Sequence, residues 1–530
     1  MPAELFEDVI ELDVPLLEAL PCTSASYPLP ALRSLGRTER REFPCVVLEN
    51  PYLRASIVPA LGGRLASLFD KRAGREVFQG RLVDGGPRGA YLDLGARLVY
   101  GGHDRLNGAG MVHYLPVEGA DEGDPASVWI GEVCVGSPLS FNACWALPPD
   151  RAEIRLEWRT LNRSLRNAQY DPAIGLSSPV HLSSPQPIVD GRRFRSASEL
   201  GPRQADTWRI VLTPTFGGAS PDFVNSEAWV SVNAGSVWIG TVCERLAHKL
   251  VLLTADGQTL EAAVDLYPEH IQEIPLGGLS PVGLVLLDSD RQEILRWEGT
   301  ASSTAPGASL PALAPFDSSV DSNVLLDQTS YLPFRSAAST ELARRAMVAS
   351  EMAQAQEHLQ DALNFNADDP LLWWELAVTE RTLNPDEPPS ALPNAHYLAP
   401  LEPVLRAESF LAQNHATHEP SPLLRSFGPD DFLEVACLLL ERGRNEDASR
   451  WLDEAIRHQD GAMLRILMAD LLLSSSRMQT EAAAHVARAS ELAGQPPLPW
   501  RDFEIAALAR VAAAFPDAAI SSLSLVPPTR

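Results

Sequence analysis

No stretch of this sequence approaches the ~18 uninterrupted apolar residues that a membrane-spanning helix requires, so no membrane partner is expected. Cysteine is scarce. Its six copies (Cys22, Cys45, Cys134, Cys144, Cys243 and Cys437) are scattered without a CxxC pair or regular spacing, which argues against a zinc or disulfide framework and for reduced, mostly buried thiols. Basic charge is also short: 43 Lys and Arg face 69 Asp and Glu, for a net charge of -26 over 530 residues. Nucleic acid and anionic membranes would repel such a chain at long range and are disfavoured as main partners. A neutral ligand such as a sugar remains compatible. The N-terminal stretch MPAELFEDVIELDVPLLEAL has neither the basic start nor the continuous apolar core of a signal peptide, and with the unpaired thiols this predicts a cytoplasmic location. A Walker loop, GxGxxG after a strand, HExxH and GxSxG are all missing, so no cofactor or metal is expected. His415 and His418 in HATH have a metal-like spacing, but their Pro- and Glu-rich surroundings supply no third ligand.

The residues that are present divide the chain in two. With 45% hydrophobic residues over 530 positions, two or three buried cores are expected. Residues 1–42 read as a segment that wraps the β region. Across 43–300, short alternating runs such as CVVLEN, AEIRLEWRTL, SVWIGTVC and PVGLVLLD are punctuated by Gly, Pro, Asn and Asp, the pattern of a large β-sandwich. Residues 301–339, opening with the Ala-, Ser- and Pro-rich SSTAPGASLPALAP, read as a linker. From 340 to 530 apolar residues recur at helical spacing. There MAQAQEHLQDALNFNADDPLLWWELA sets Ala355 and Ala362 where two helices would cross, turns at Asn366–Asp369, and restarts at Pro370, where proline's missing N–H costs nothing. A second such unit turns at Gly443 and carries Ala448 and Ala455. About three helical hairpins of tetratricopeptide type are expected, interrupted by an insert from Pro385 to Pro422.

The segment VVLENPYLRASIVPALGGRLASLFDKRAGREVF, above all its Gly62-Gly63-Arg64 turn, is similar to an uncharacterised bacterial family in which a galactose-mutarotase-like β-sandwich precedes tetratricopeptide repeats. Three further segments occur in the family's order: PVEGADEGDPASVWIGEV, AEIRLEWRTLNRSLRNAQY with Asn162-Arg163, and KLVLLTADGQTLEAAV with Glu261. The resemblance covers most of the chain. It implies a multidomain β-plus-α protein, an N-terminal galactose-mutarotase-like supersandwich and C-terminal helical repeats. It also implies a sugar or glycoside ligand.

Mutarotation needs one group to take the anomeric proton and another to protonate the ring oxygen. On that resemblance Glu261 is the candidate base and His103, in the Gly-rich loop LGARLVYGGHDRLNG, the candidate acid. Arg64, Arg97, Asp104, His113, Arg163 and Trp208 are candidate substrate contacts, the arginines through their planar donor forks and the tryptophan by stacking on a sugar face. Plainer roles exist for each: Glu261 on an exposed strand face, the arginines in structural ion pairs, Trp208 in a core. The chain also departs from the family. Arg97 stands where relatives carry a glutamate, Ala263 replaces a glutamine, and Ser177-Ser178 occupy the place of a histidine, with His181 displaced downstream. Two functions therefore stay open: a carbohydrate-active protein, epimerase-like or glycoside-hydrolase-like, or a catalytically degenerate sugar-binding or scaffold protein that recruits a protein partner through its helical repeats.

Overall fold

A computed structural model describes residues 2–518 and 520 apart from 20–31, 79, 87–88, 100–111, 120, 134–137, 171–172, 178–180, 184–197, 216–220, 234, 256, 278–280, 299–315, 318, 331, 412–426, 475–477, 493–498, 500 and 519. Its N-terminal part is β-sheet and its C-terminal part is helical.

Alternation builds the first core. In strand Ile154–Asn162 the side chains of Ile154, Leu156 and Trp158 are buried while Arg155 is exposed, the period of a half-buried strand. Trp158 lies opposite Trp208 of strand Ala205–Thr213. These strands belong to a six-stranded sheet running from His181–Ser183 through Ala205–Thr213, Ile154–Asn162, Leu139–Leu147 and Ala126–Val133 to His113–Val117. Side chains of that sheet, among them Phe141, Trp145, Trp158 and Trp208, share one core with Val46, Leu48, Ile57 and Leu65 of a nine-stranded sheet. The Gly62-Gly63 turn joins two strands of the latter. Gly63 has φ +68°, and a Cβ there would come within 2.5 Å of Ile130 Cδ1, so both backbone sign and space require glycine.

The segment 1–42 does more than wrap. Strand Glu4–Ala19 pairs along strand Leu32–Glu49, which itself enters the nine-stranded sheet. Residues 222–298 form a separate small unit of two four-stranded sheets with their own core of Val230, Ile239, Leu250, Leu252, Leu284 and Leu286. With a further cluster of Val47, Val58, Leu61, Ala66 and Leu94 on the nine-stranded sheet, the described β region has more than one core where one large sandwich was predicted over 43–300.

Helices begin at α1 (Ser322–Gln328) and α2 (Leu332–Val348), inside the segment predicted as linker. SAASTELARRAMV carries good helix formers, and every residue from Ala337 to Ala343 is buried, so the middle of α2 is enclosed on all sides. Then come α3 (Met352–Leu363), α4 (Pro370–Leu383), α5 (Leu392–Leu398), α6 (Pro403–Leu411), α7 (Pro429–Glu441), α8 (Asn445–His458), α9 (Ala462–Ser474), α10 (Gln479–Glu491) and α11 (Asp502–Ala514). The predicted crossing positions Ala355, Ala362, Ala448 and Ala455 are all fully buried, where a small side chain lets helices approach. Pro370 opens α4 and the Asp369 carboxylate caps it, accepting from Leu371 N at 2.9 Å. Gly443, φ +69°, turns α7 into α8. The described part of the insert, 385–411, contains α5 and α6, whose Leu398, Val404 and Leu405 are buried, so this part belongs to the array. Among the described residues no helix is long and apolar enough to cross a membrane.

Candidate functional site

The candidate sugar-site residues fall in different places. Glu261 lies on strand Thr259–Leu266 of the small β unit, where Val264 and Leu266 point into the core and Glu261 points to solvent. Its side chain is 55% exposed and ion-paired with Lys249 on the neighbouring strand. Arg64 is buried and donates to the carbonyls of Leu61 at 2.8 Å and Leu94 at 3.5 Å, tying down the turn that leads into its strand. Trp208 is buried in the sandwich core, its indole N–H donating to Asp206 at 2.9 Å. Arg97 is half-buried on strand Ala96–Val99, opposite Gly175. Ser177 accepts from Gly95 N at 2.9 Å. His103, Asp104, Ser178 and the HATH pair lie outside the described residues. Among the described residues four cysteines are free, and Cys45, Cys243 and Cys437 of these are buried.

Two of the proposed sugar contacts, Arg163 and His113, meet instead at a seam between the β region and the helices. His113 Nε2 is 2.8 Å from Asp431 Oδ2 at the start of α7, and its ring lies 6.3 Å from that of Phe427. Arg163, just past the end of strand Ile154–Asn162, reaches Glu434 Oε1 on α7 at 2.7 Å and Glu402 Oε1, just before α6, at 3.0 Å. Asn162 holds that end in place: its amide donates to the carbonyls of Arg166, Leu200 and Gly201 at 2.6–2.9 Å. Beside it Arg159 Nη1 donates to the Leu398 carbonyl at 2.9 Å.

Arg203 adds a fully buried contact to the seam. It is 2% exposed and donates through Nε to Asp369 Oδ2 at 2.8 Å, with Glu375 Oε1 3.7 Å from Nη1. Asp369 therefore caps α4 with one oxygen and receives the β region's guanidinium with the other. Burial pushes the Asp369 carboxyl up despite Arg203. Burial acts the same way on Glu434, but Arg163 and Arg501, the latter at 2.6 Å, hold that carboxyl below its usual value. Glu375 is shared with Arg442 of the α7–α8 turn. Leu161 joins the main apolar cluster of the helical region and Ala205 packs against it, so apolar burial and ion pairs run through the same contact.

Sequence reading missed Arg203 altogether, and missed Asp369, Glu375, Glu402 and Glu434 as partners of the β region. A signal existed in FLEVACLLL: a glutamate embedded in an apolar run must be paired if it is buried. Nothing in the one-dimensional pattern names its partner some 270 positions earlier.

A second feature is an open hollow of about 530 Å³ on the helical array, lined by Leu440, Leu471, Leu473, Phe503, Asp470 and Arg510 among others. Arg510 pairs with Asp470 at 2.6 Å and lies 5.6 Å from the Phe503 ring centroid, giving an apolar floor with a charged edge. Among the described residues no three His, Cys, Asp or Glu side chains are placed to hold a metal ion.

No protein-family model matches the chain. Among solved structures it is similar to a TPR-domain containing protein from Parabacteroides distasonis, with 12% identity, 100% of this chain and 96% of that one covered, and a TM-score of 0.29. It is also similar to YrrB, described as a TPR protein with an unusual peptide-binding site, at 12% identity over 37% of this chain and 95% of that one, TM-score 0.16. A polysaccharide lyase is similar at 8% identity over 83% of this chain and 82% of that one, TM-score 0.18. At these scores neither fold nor activity passes from those proteins to this one.

Proposed function

We propose that this protein is a scaffold whose helical array holds an extended segment of a protein partner, with the β region fixed to it as a platform. The observation that carries this is the fate of the charged groups. Arg163 and His113 are engaged by carboxylates of the helices, so two candidate sugar contacts join the β region to the array, while the candidate base Glu261 sits in a surface ion pair with Lys249. The hollow on the helices combines leucines and Phe503 with an exposed guanidinium, a surface suited to a peptide with an apolar side chain near a carboxylate. An array of synthetic 15-residue peptides of varied charge, probed with purified full-length protein, tests it. Apolar-acidic peptides are expected to be retained, and both Leu473→Asp and Arg510→Glu to reduce retention at least tenfold. Equal retention by wild type and both variants, or none by any, overturns the proposal.

The carbohydrate function of a mutarotase-like sandwich has one specific observation in its favour. Val112, four positions past the Gly-rich loop, is anchored at the Gly62-Gly63-Arg64 turn: its N donates to the Pro59 carbonyl at 3.2 Å, and its Cγ2 lies 3.0 Å from where a Gly63 Cβ would sit. Val112, nine positions after His103, thus packs on the motif that carries the resemblance. A melting screen across monosaccharides and oligosaccharides separates the two functions, because a ligand that binds only the folded form raises its apparent stability. A sugar that raises the midpoint in wild type and not in His103→Ala supports the carbohydrate function; no shift from any sugar removes it.

A further inference from the structure

The seam distributes its cations unevenly. Arg163 faces two buried carboxylates, Glu402 and Glu434, while Glu434 has a second cation in Arg501. Glu402 is 2% exposed, and its remaining charged surroundings are mostly negative: Glu434 and Asp431 from α7 and Asp369 from the cap of α4, with Arg203 of the β region as the other cation in range. Burial, reinforced by Glu434 and opposed by Arg163, pushes the Glu402 carboxyl up to about 7. The turn that carries it, between α5 and α6, is also held to the β region by the Arg159 bond to the Leu398 carbonyl.

We propose that Glu402 is a proton-operated latch between the β region and the helical array, closed when its carboxyl is neutral and loosened when the carboxyl ionises. The reason is local. An added negative charge meets a guanidinium already committed to Glu434, in a seam that already holds Asp369 and Asp431. Water solvates the ion better than this crowded seam, and admitting it moves the α5–α6 turn away from the end of strand Ile154–Asn162. The latch is independent of what occupies the hollow on the helices.

Hydrogen exchange on the full-length protein at about pH 6 and pH 8.5, corrected for intrinsic rates, tests this in segments spanning 157–164 and 396–408. Strand Pro281–Leu287, in the core of the small β unit, serves as the reference. Wild type is expected to lose about tenfold of its protection in both segments at the higher pH with the reference unchanged, and Glu402→Gln to keep the low-pH protection at both. Glu402→Met repeats the measurement should the glutamine variant fold poorly. His113→Gln separates the latch from its neighbour, since His113 bonds Asp431 and its loss is expected to leave the pH effect intact. Protection independent of pH in wild type, an undiminished pH effect in the uncharged Glu402 variants, or its disappearance in His113→Gln overturns the latch.

Discussion

Arg203–Asp369 and Lys249–Glu261 are both pairs of opposite charge between neighbouring elements, and they do opposite things. The first is sealed between two regions, with Arg203 2% and Asp369 0% exposed; the second stands on the outer face of a small sheet with both partners more than one-third exposed. In the seam neither ion has water to fall back on, so removing one strands the other. On the sheet each ion returns to solvent when its partner leaves. Position relative to the core, not the identity of the residues, decides which charges matter to this molecule.

The sharpest way to break the comparison is at the seam. Arg203→Met leaves Asp369 and Glu375 with a neighbour of similar length but no charge. Breaking one side of a buried pair is expected to cost about 3–5 kcal/mol, read as a lowered urea midpoint of the helical transition. Double replacement, Arg203→Met with Asp369→Asn, is expected to recover part of that loss, because Asn still caps α4. A single variant as stable as wild type would mean that the seam contributes nothing.

Next in size is a pH effect. The Glu402 carboxyl is raised from its ordinary 4.5 to about 7, so the folded state holds that proton more tightly than the unfolded state. Its contribution to stability is therefore fully present below about 4.5 and is lost as pH rises through about 7. Glu402→Gln removes this dependence. Relative to wild type the variant is expected to gain on the order of a few kcal/mol between about pH 4.5 and pH 8. Denaturant midpoints measured in parallel across that range check the sign, and a difference that does not change with pH would contradict it.

A third test moves from charge to packing. Ala455 is fully buried on α8, and replacing it with leucine forces two helices apart at a cost of about 1–3 kcal/mol. The same expectation for Ala355→Leu in α3 tests whether the array's two clearest hairpins are built alike. Thermal midpoints that fall in only one variant would show that they are not.

These positions also mark how much could be read from the chain alone. Ala355, Ala362, Ala448, Ala455, the Asp369-Pro370 start and the Gly443 turn were legible because each is a local rule: small residues at crossings, a capped helix start, glycine at positive φ. So was the alternation of Ile154, Leu156 and Trp158. α1 and α2 were hidden by the Ala-, Ser- and Pro-rich stretch before them, which pulled their segment into a predicted linker. The separate core of 222–298 was hidden because period-two strands look alike whichever sheet they join. The seam was invisible for a stronger reason. Arg163 reads as a donor in any context, and its partners Glu402 and Glu434 become its partners only once the helices are folded against the strand. The candidate site was therefore legible in its residue types and illegible in its pairing.

The smallest expected effect carries the most information about function. Glu261→Gln removes a charge from an exposed strand face and a partner from Lys249, a change expected to alter stability by less than ~0.5 kcal/mol. That near-silence makes it a clean probe, because any functional consequence cannot be blamed on unfolding. If Glu261 only decorates the surface, peptide retention and sugar-dependent melting are both unchanged in the variant. If it contributes to a carbohydrate site, a sugar that raises the wild-type midpoint loses that effect while the unliganded midpoint stays put. Exposed and paired as it is, the first outcome is the expected one, and the second would move a strand-borne carboxylate of the small β unit from the quiet side of the comparison to the functional side.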